Sequence, residues 1–467
     1  MKMWAGRFRQ PLDRSFERWQ RSFPFDRILL PHELEASRAH ARALEHAGVL
    51  SSEELADLVR GLEQIGEKAT ADPNFLADEE AEDVHHFVEK QLVALIGDTG
   101  YKLHSGRSRN EQISTDLRLY VRSAIDQLQG LLAIWLEGLI ARAEKAGDAA
   151  MPAYTHGQRA EPVLVAHWLL AYVEMFLRDS ERFADCRARL NACPLGSGAV
   201  AGATLSLDRA AMASDLGFEG PTANSIDATG DRDFVLEFAQ ALSVMAVHLS
   251  RWAEEMILFS SQEYGFISLP EAYSTGSSAM PQKKNPDLLE LMRGKTGRVM
   301  GAATSLLVTV KGLPLAYNKD MQETQEPLFD AAQTAISILP LATGWMKSVE
   351  FEYSRMKQAA QSGFMNAWAA ATYLVDRGVP SRLAHEAVGK AVKLGVERGC
   401  ELQDLPLADL QQIHAAFADD VYKALTLESV LSIHNVEGGT SRGQVKQAIQ
   451  RAEQRIALLR GEVHANA

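Results

Sequence analysis

Cysteine is scarce in this chain. Its 467 residues include only three cysteines, Cys186, Cys193 and Cys400. The number is odd and no two of them have Cys-x-x-Cys spacing, which argues against a disulfide framework and against a zinc cluster. We therefore expect three reduced thiols.

Long apolar runs are also missing. No segment reaches the ~20 residues that a membrane-spanning helix needs, and the nearest candidate, residues 131–140, is interrupted by Glu137. The amino terminus lacks the apolar region of a secretory signal. We expect a cytoplasmic protein that has no membrane partner.

An excess of positive charge is absent as well. The formal net charge is −13, which disfavours non-specific binding to the phosphate backbone of nucleic acids. Against that acidic background, cations are concentrated in a few short polar segments, at Arg107, Arg109, Lys283, Lys284 and Lys319. Local cations on an acidic protein favour a small anionic substrate over nucleic acid.

Helical periodicity dominates, and no convincing strand alternation is found. Between residues 238 and 259, apolar residues recur at steps of four and three, which predicts a long bundled helix. The same spacing predicts a helix from about Glu111 to about Lys145, roughly 50 Å long, and another from Glu161 to about Leu190. The β-branched run 163–165 fits this third helix better than a strand. The predicted fold is all-α with a long central helix bundle.

Helix-start signals mark both flanks of the long helices. Ser51 with Glu54, and Ser441 with Gln444, have the spacing of capping boxes, and Ser381 after Pro380 is a predicted N-cap. A chain of this length exceeds what one core usually serves. We therefore predict three helical domains, residues 1–107, 108–358 and 359–467, with the long helices in the central one.

The segment richest in side chains that could bind a ligand or catalyse a reaction covers residues 276–286, Gly-Ser-Ser-Ala-Met-Pro-Gln-Lys-Lys-Asn-Pro. Small residues allow a backbone to approach a ligand closely, and Pro281 and Pro286 limit the freedom of the loop. Lys283, Lys284 and Asn285 supply charge and hydrogen bonds. Such a loop is suited to hold a carboxylate and to remove a proton.

Three segments, in order, resemble the motifs of the fumarase/aspartase superfamily: residues 104–112, 154–158 and 276–286. Residues 4–8 and 317–323 extend the likeness over most of the chain, and Gln282-Lys283-Lys284 is typical of the argininosuccinate lyase family. Residues 196–202 superficially resemble a dinucleotide loop, but no strand precedes them. They are similar to a glycine-rich region that the family places beside its active site.

The resemblance implies a reversible elimination of argininosuccinate to arginine and fumarate, the last step of arginine biosynthesis, without cofactor or metal. Such an elimination needs a base, stabilisation of an aci-carboxylate and protonation of the leaving nitrogen. By the motif, Ser277 rather than Ser278 is the candidate base, if cations and loop amides favour its alkoxide. Lys283 with Asn285 would hold the carboxylate on which charge accumulates.

The resemblance assigns the remaining catalytic positions to His156 and Glu290. A histidine can act as general acid near neutral pH, so His156 would protonate the departing guanidino nitrogen directly or through water. Glu290 would orient and charge that imidazole. Whether Ser277 or His156 is the base stays open at this point.

Further residues match family positions that contact substrate: Ser22, Asp26, His85, Arg109, Asn110, Thr155, Asn285, Tyr317 and Gln322. The planar fork of Arg109 suits a carboxylate, and Asp26 suits a cationic part of the arginine moiety.

Two positions depart from the family. Gln325 stands where many relatives carry lysine, and Glu111, at the rim of a motif, stands where many carry aspartate.

The resemblance also implies a homotetramer in which three subunits contribute to each active site. The predicted helix from Glu111 to Lys145 agrees, because it separates the loop 104–110 from His156 by roughly 50 Å within one chain. A site that contains both must be shared between subunits.

Two other interpretations remain. One is another fumarate-releasing lyase of the superfamily, such as adenylosuccinate lyase, fumarase or aspartase, against which Gln282-Lys283-Lys284 argues. The other is a catalytically silent structural relative, like the lens crystallins of this family. Intact His156, Ser277 and Lys283 argue against it, and an assay for fumarate absorbance separates the alternatives.

Overall fold

The computed structural model describes residues 10–466, with side chains through residue 461, so the predicted motif at residues 4–8 lies outside the described residues. The α-helices are α1 Arg14–Trp19, α2 Phe23–Asp26, α3 Leu30–His46, α4 Ser52–Ala71, α5 Val84–Ile96, α6 Thr99–Lys102, α7 Arg109–Ala146, α8 Val165–Arg189, α9 Arg209–Asp215, α10 Ser225–Gly230, α11 Asp233–Ser260, α12 Asp287–Val310, α13 Gln325–Ser348, α14 Tyr353–Ala360, α15 Ala367–Val375, α16 Ser381–Arg398, α17 Leu407–Ile413, α18 Val421–Ala424, α19 Leu427–Ile433 and α20 Arg442–Asn466. The strands are β1 Ala150–Thr155, β2 Gln158–Leu164, β3 Ala192–Cys193, β4 Gly220–Pro221, β5 Ile267–Ser268, β6 Thr275–Gly276, β7 Lys284–Asn285 and β8 Glu350–Phe351. Short 3-10 helices cover Arg27–Leu29, Pro73–Leu76, Glu271–Tyr273, Lys319–Thr324 and Leu402–Asp404.

Two long helices confirm the helices predicted from periodicity. α7 contains 38 residues, which corresponds to about 57 Å. α11 buries Leu242, Met245 and Trp252 of the predicted seam. The all-α class is confirmed, since the strands of the described residues form four two-stranded sheets.

By length and composition alone, α7 and α11 are apolar enough to cross a membrane. The apolar windows of these helices are 61% and 50% buried inside the protein. Core helices of helix bundles have the same composition, so the two helices are only a weak indication of a membrane protein.

The third predicted helix is wrong at its start. α8 begins at Val165, and residues 150–164 form an antiparallel hairpin of β1 and β2. Thr155 pairs with Gln158, so the turn contains only His156 and Gly157, with φ angles of 55° and 72°. Positive φ at both central residues is the geometry of a type I′ turn, which Gly157 adopts without a steric penalty. The hairpin satisfies backbone groups that the prediction had placed in a helix.

The first of two compact units comprises the chain through Gln127, Arg182–Ser243 and Arg298–Ala335. In it, Ala39 of α3 lies in one apolar cluster with Leu119 of α7 and Met212 of α9. Phe23 of α2 stacks on Phe87 of α5, with ring centroids 4.8 Å apart. These contacts hold the elements that carry several predicted substrate residues.

The second unit comprises Leu128–Glu181, Val244–Gly297 and the chain from Ile336 onward. Trp252 of α11 lies between Trp135 of α7 and Trp345 of α13, with centroid distances of 5.1 and 5.2 Å and edge-to-face geometry. All three indoles are fully buried. Aromatic pairs of this geometry stabilise a core beyond the area they bury. A separate apolar cluster joins α15, α16 and α18 through Leu374, Val388 and Val421.

The predicted helix starts have mixed outcomes. The Ser51–Glu54 capping box is confirmed, since each side chain accepts the other residue's amide hydrogen. Ser381 is the first residue of α16, and Pro380 occupies its N-cap, so that prediction is wrong. The Ser441 hydroxyl donates to Asn435 Oδ1 at 2.8 Å, and Gln444 Nε2 donates to the Asn435 carbonyl at 3.2 Å. No hydrogen bond joins Ser441 to Gln444 within the described residues, so the predicted box does not form.

Candidate active site

Seven predicted site residues lie in the first unit: Ser22, Asp26, His85, Arg109, Asn110, Tyr317 and Gln322. Asp26 ends α2 and is buried, and its carboxylate accepts hydrogen bonds from the Ser22 hydroxyl at 2.6 Å and the Val84 amide at 3.1 Å. Burial, followed by the charge of Asp83, raises the pKa of Asp26 to about 7. The charge of this carboxyl therefore changes near neutral pH.

Arg109, the first residue of α7, is held by two acidic side chains. Its Nη1 lies 3.1 Å from Asp83 Oδ2 and 3.5 Å from Glu82 Oε2. Burial alone would raise the pKa of Asp83, but the positive charge of Arg109, together with His85 and the His86 amide, holds that pKa below its usual value. Asp83 also caps α5 by accepting the His86 amide hydrogen at 2.7 Å. The two carboxylates thus orient the Arg109 guanidinium.

His85 connects Asp83 to a buried group of carboxyls that the sequence analysis missed. Its Nδ1 lies 3.9 Å from Asp83 Oδ1, and its Nε2 lies 2.9 Å from Asp116 Oδ2 and 3.7 Å from Glu33 Oε2. Burial raises the pKa of both Asp116 and Glu33. The only sequence signal for these two residues is an acidic side chain among the apolar residues of a helix.

The same group is where the described residues could hold a cation. Ligand atoms of Glu33, His85 and Asp116 lie within 4.8 Å of one another, and all three residues are buried. Arg107 Nη2 lies 3.6 Å from Glu33 Oε1, and its positive charge opposes a metal ion there. With raised carboxyl pKa values and a short His85–Asp116 contact, the arrangement favours a proton-sharing network over a metal centre.

Tyr317 lies beside Arg232, a second residue that sequence reasoning did not identify. Burial raises the pKa of Tyr317, while the charge of Arg232 opposes that rise. Burial also lowers the pKa of Arg232 to about 10. Gln322 is buried and donates to the Gln20 carbonyl at 3.1 Å. Gln325, one of the two residues that differ from the family pattern, is buried and is the first residue of α13.

The glycine-rich segment 196–202 contacts the first turn of α7. Asn110 Nδ2 donates to the Ala199 carbonyl at 3.1 Å. Gly198 has a φ of 61°, and a Cβ there would lie 2.7 Å from the Gly202 carbonyl oxygen, so the loop requires glycine. Glu111 is buried and accepts the Ser108 amide hydrogen at 3.0 Å.

The remaining predicted residues, Thr155, His156, Ser277, Lys283, Asn285 and Glu290, lie in the second unit. Ser277 follows the two-residue ladder in which β6 pairs with β7, where Thr275 faces Asn285. Its Oγ accepts backbone hydrogens from Ala279 at 3.3 Å and from Met280 at 3.1 Å. Two amide dipoles thus converge on this hydroxyl oxygen, and both serines of the loop lie in an open, polar surface segment.

The two lysines of this loop differ in their surroundings. Lys284 donates to the Leu269 carbonyl at 3.2 Å and lies 3.8 Å from Glu271. Lys283 is exposed, and no hydrogen bond or ion pair holds its ammonium group within the described part of the chain. Lys283 is therefore the lysine whose charge is available to a ligand. Asn285 Nδ2 lies 3.5 Å from Thr275 Oγ1.

His156 occupies the tip of the β1–β2 hairpin, next to Thr155, and both side chains are exposed. Glu290 lies in the first turn of α12 and is exposed as well. Among residues 10–461, no hydrogen bond or ion pair joins Glu290 to His156, and none joins His156 to the loop 276–286. One chain therefore presents these groups on its surface without assembling them.

Comparisons with known proteins agree with the family that the motif residues indicate. Residues 6–301 match a family described as "Lyase", and residues 364–432 match "Argininosuccinate lyase C-terminal". Argininosuccinate lyase of Acidobacterium capsulatum is 58% identical over 98% of this chain and 96% of its own length. That of Koribacter versatilis is 58% identical over 99% of both chains. The chain belongs to the argininosuccinate lyase family.

As a member of this family, the chain is a lyase. A solved structure of an EDDS lyase variant with bound fumarate is 27% identical and has a TM-score of 0.85, over 98% of this chain and 93% of that one. The resemblance stated from the three motifs is thereby confirmed, as is the enzyme class.

Proposed function

We propose that this enzyme converts argininosuccinate reversibly to arginine and fumarate in arginine biosynthesis, with Ser277 as the candidate base. The observation that carries the proposal is the pair of amides directed at Ser277 Oγ. A serine alkoxide is too basic to form unaided, and amide dipoles together with the nearby Lys283 charge favour it. His156 stays the alternative base.

In the proposed reaction, the base takes the proton from the carbon next to a succinyl carboxylate. The electron pair is held as an aci-carboxylate, which Lys283 and Asn285 stabilise by charge and hydrogen bonding. The carbon–nitrogen bond then breaks, and His156, oriented by Glu290, protonates the leaving guanidino nitrogen. These residues provide every group that the elimination requires, so the proposal includes no cofactor or metal.

We propose that the first-unit residues and Thr155 bind the rest of the substrate. Asp26 pairs with the cationic guanidinium of the arginine moiety, and Ser22 holds Asp26 in place. Arg109 and Asn110 take a substrate carboxylate, with Tyr317, Gln322 and His85 lining the site. The planar fork of Arg109 supports this assignment because it matches a carboxylate with two parallel hydrogen bonds.

Binding through Asp26 predicts a pH dependence. Its folded pKa of about 7 lies above the ordinary value of 3.8, so the carboxylate that pairs with the guanidinium is lost as the pH falls below 7. We expect KM to rise about tenfold per pH unit below that point. Asp26→Asn should show a high KM that no longer varies over this range. Initial rates measured between pH 5.5 and 8.5 give KM for the wild type and for the variant.

Folding stability provides an independent measurement for the same residue. The unfolded chain ionises Asp26 near 3.8, whereas the folded chain keeps the proton up to about 7. The folded state therefore binds more protons between these values, and the contribution of Asp26 to stability falls as pH rises through this window. Asp26→Asn should remove that fall.

The Ser22→Ala variant tests the same assignment through KM. It deletes a hydrogen bond that lowers the pKa of Asp26, so the pH at which KM begins to rise should move upward. An unmoved midpoint would contradict the assignment.

We propose a homotetramer with active sites shared between subunits. Four large apolar side chains of α12 are 45–62% exposed, namely Leu291, Met300, Leu307 and Val308. Val247 and Leu258 of α11 and Leu341 of α13 are exposed too. Apolar faces on long helices mark protein–protein interfaces, and bundled helices of several subunits would cover them.

We further propose that the chain functions in three parts, with boundaries near residues 107 and 358, and that it acts in the cytoplasm. The match to an argininosuccinate lyase C-terminal family over residues 364–432 supports the second boundary. The core of α15, α16 and α18 within this region also supports it.

We propose that the loop 273–286 closes over bound substrate. Only two residue pairs join β6 to β7, and residues 276–284 are exposed except for Ser277, which is half-buried. Closure would exclude water from the aci-carboxylate. Amide hydrogen exchange of residues 276–284 should slow at least about tenfold with a substrate analogue, while α8 is unaffected. Equal exchange with and without the analogue contradicts closure.

One assay tests the proposed function against its alternatives. Purified protein is incubated with argininosuccinate, adenylosuccinate, aspartate or malate, and fumarate is followed by its ultraviolet absorbance. Fumarate from argininosuccinate alone supports the proposal. Fumarate from another compound identifies a different branch of the superfamily, and no fumarate from any of them identifies a silent structural relative.

A further inference from the structure

The position of His156 raises the question of what holds it in place. It adopts a left-handed backbone conformation with φ of 55°, which is unfavourable for a residue with a side chain. A two-stranded hairpin is marginally stable by itself. The hairpin base is fixed by Leu164, whose amide donates to Thr440 Oγ1 at 2.8 Å. The tip needs a support of its own.

Arg159 provides a support close to the tip. It follows Gln158 in β2 and pairs with Tyr154 across the hairpin. Its Nη1 donates to Ser362 Oγ at 2.9 Å and to the Ala359 carbonyl at 3.3 Å. Ala359 belongs to the last turn of α14. The Arg159 guanidinium therefore connects β2, at a position three residues after His156, to the end of this helix.

Arg159 also acts on the opposite strand. Burial raises the pKa of Tyr154, and the positive charge and a hydrogen bond of Arg159 oppose that rise. The Tyr154 ring packs against Tyr264, with centroids 5.5 Å apart. Tyr154 and Arg159, which flank the Thr155–Gln158 pair, are therefore both anchored, and the Arg159 guanidinium also interacts with Tyr154.

We propose that Arg159 is a positioning residue that fixes the His156 hairpin tip through Ser362, Ala359 and Tyr154. This role rests on the proposed function, in which His156 is the general acid. A planar guanidinium presents several donors in fixed directions, whereas a lysine ammonium is a compact charge on a flexible stem. Lysine should therefore replace the charge of Arg159 but not its combined contacts.

The test compares Arg159→Ala, Arg159→Lys, Ser362→Ala and the double variant Arg159→Ala/Ser362→Ala. Misplacement of a reacting group by about 1 Å costs up to about a hundredfold in rate. We expect Arg159→Ala to lower kcat about 10- to 100-fold with KM changed less than about threefold, and Arg159→Lys to recover little. Exchange of the amides of residues 155–158 should accelerate in Arg159→Ala. Arg382→Ala, which removes an exposed arginine of α16, is the matched control and should resemble wild type.

The double-variant cycle decides between positioning and direct binding. If Arg159 acts through Ser362, the double variant loses no more kcat than Arg159→Ala alone. Multiplying effects, or a raised KM with unchanged kcat, overturn the positioning role. A wild-type protein that releases no fumarate overturns the proposed function and this role with it, whereas an active wild type with an unaffected Arg159→Ala variant overturns the role alone.

Discussion

Replacing Ser277 with alanine is expected to lower kcat about a thousandfold or more, at the upper end of what a positioned proton-transfer group contributes. The hydroxyl acts mainly in the transition state, so KM and the melting temperature should change little. The variant leaves the amides of Ala279 and Met280 directed at an empty position. Fumarate release at saturating argininosuccinate measures the loss.

Ser278→Ala is the matched control, because it removes the same hydroxyl one residue away in the same loop. No backbone amide of the described chain donates to Ser278 Oγ, so this variant should keep kcat within about threefold of wild type. The reverse ranking would mean that the motif is aligned one residue out of register. Near-normal turnover of Ser277→Ala would exclude Ser277 and leave His156 as the base.

The long helices were predictable from sequence because their apolar seams repeat over many turns. The expected limits of Glu111 and Lys145 differ from those of α7 by no more than two residues. The β1–β2 hairpin was missed because Pro152 and Pro162 interrupt both strands and no alternation is visible in them. The available signal was Gly157, a residue suited to positive φ directly after His156.

The candidate site was predictable only where the motifs name its residues. Asp116 and Glu33 were missed because their roles depend on contacts with His85 across 31 and 52 positions of sequence, which no local pattern reveals. Arg159 was missed for the same reason, since Ser362 is 203 residues away. Tertiary contacts of this kind create the electrostatics of a site, whereas motifs specify only its chemical groups.

The arrangement of His156 and Ser277 predicts the outcome of mixing two inactive variants. In the described chain no hydrogen bond or ion pair joins the two residues, and both belong to surface segments, with His156 exposed and Ser277 half-buried. We expect His156→Asn and Ser277→Ala each to be nearly inactive when prepared alone. If each site takes these residues from different subunits, hybrid oligomers contain some sites with both residues intact.

The expected recovery follows from random assembly. Each of the two contributing subunits has an even chance of carrying the intact residue, so about one quarter of sites should be restored in an equimolar mixture of unfolded and refolded chains. Each variant refolded alone controls for recovery without exchange, and native mass spectrometry shows whether hybrids form. Hybrid oligomers without fumarate release would mean that His156 and Ser277 reach a site from the same chain, because then no subunit of the mixture carries both residues intact.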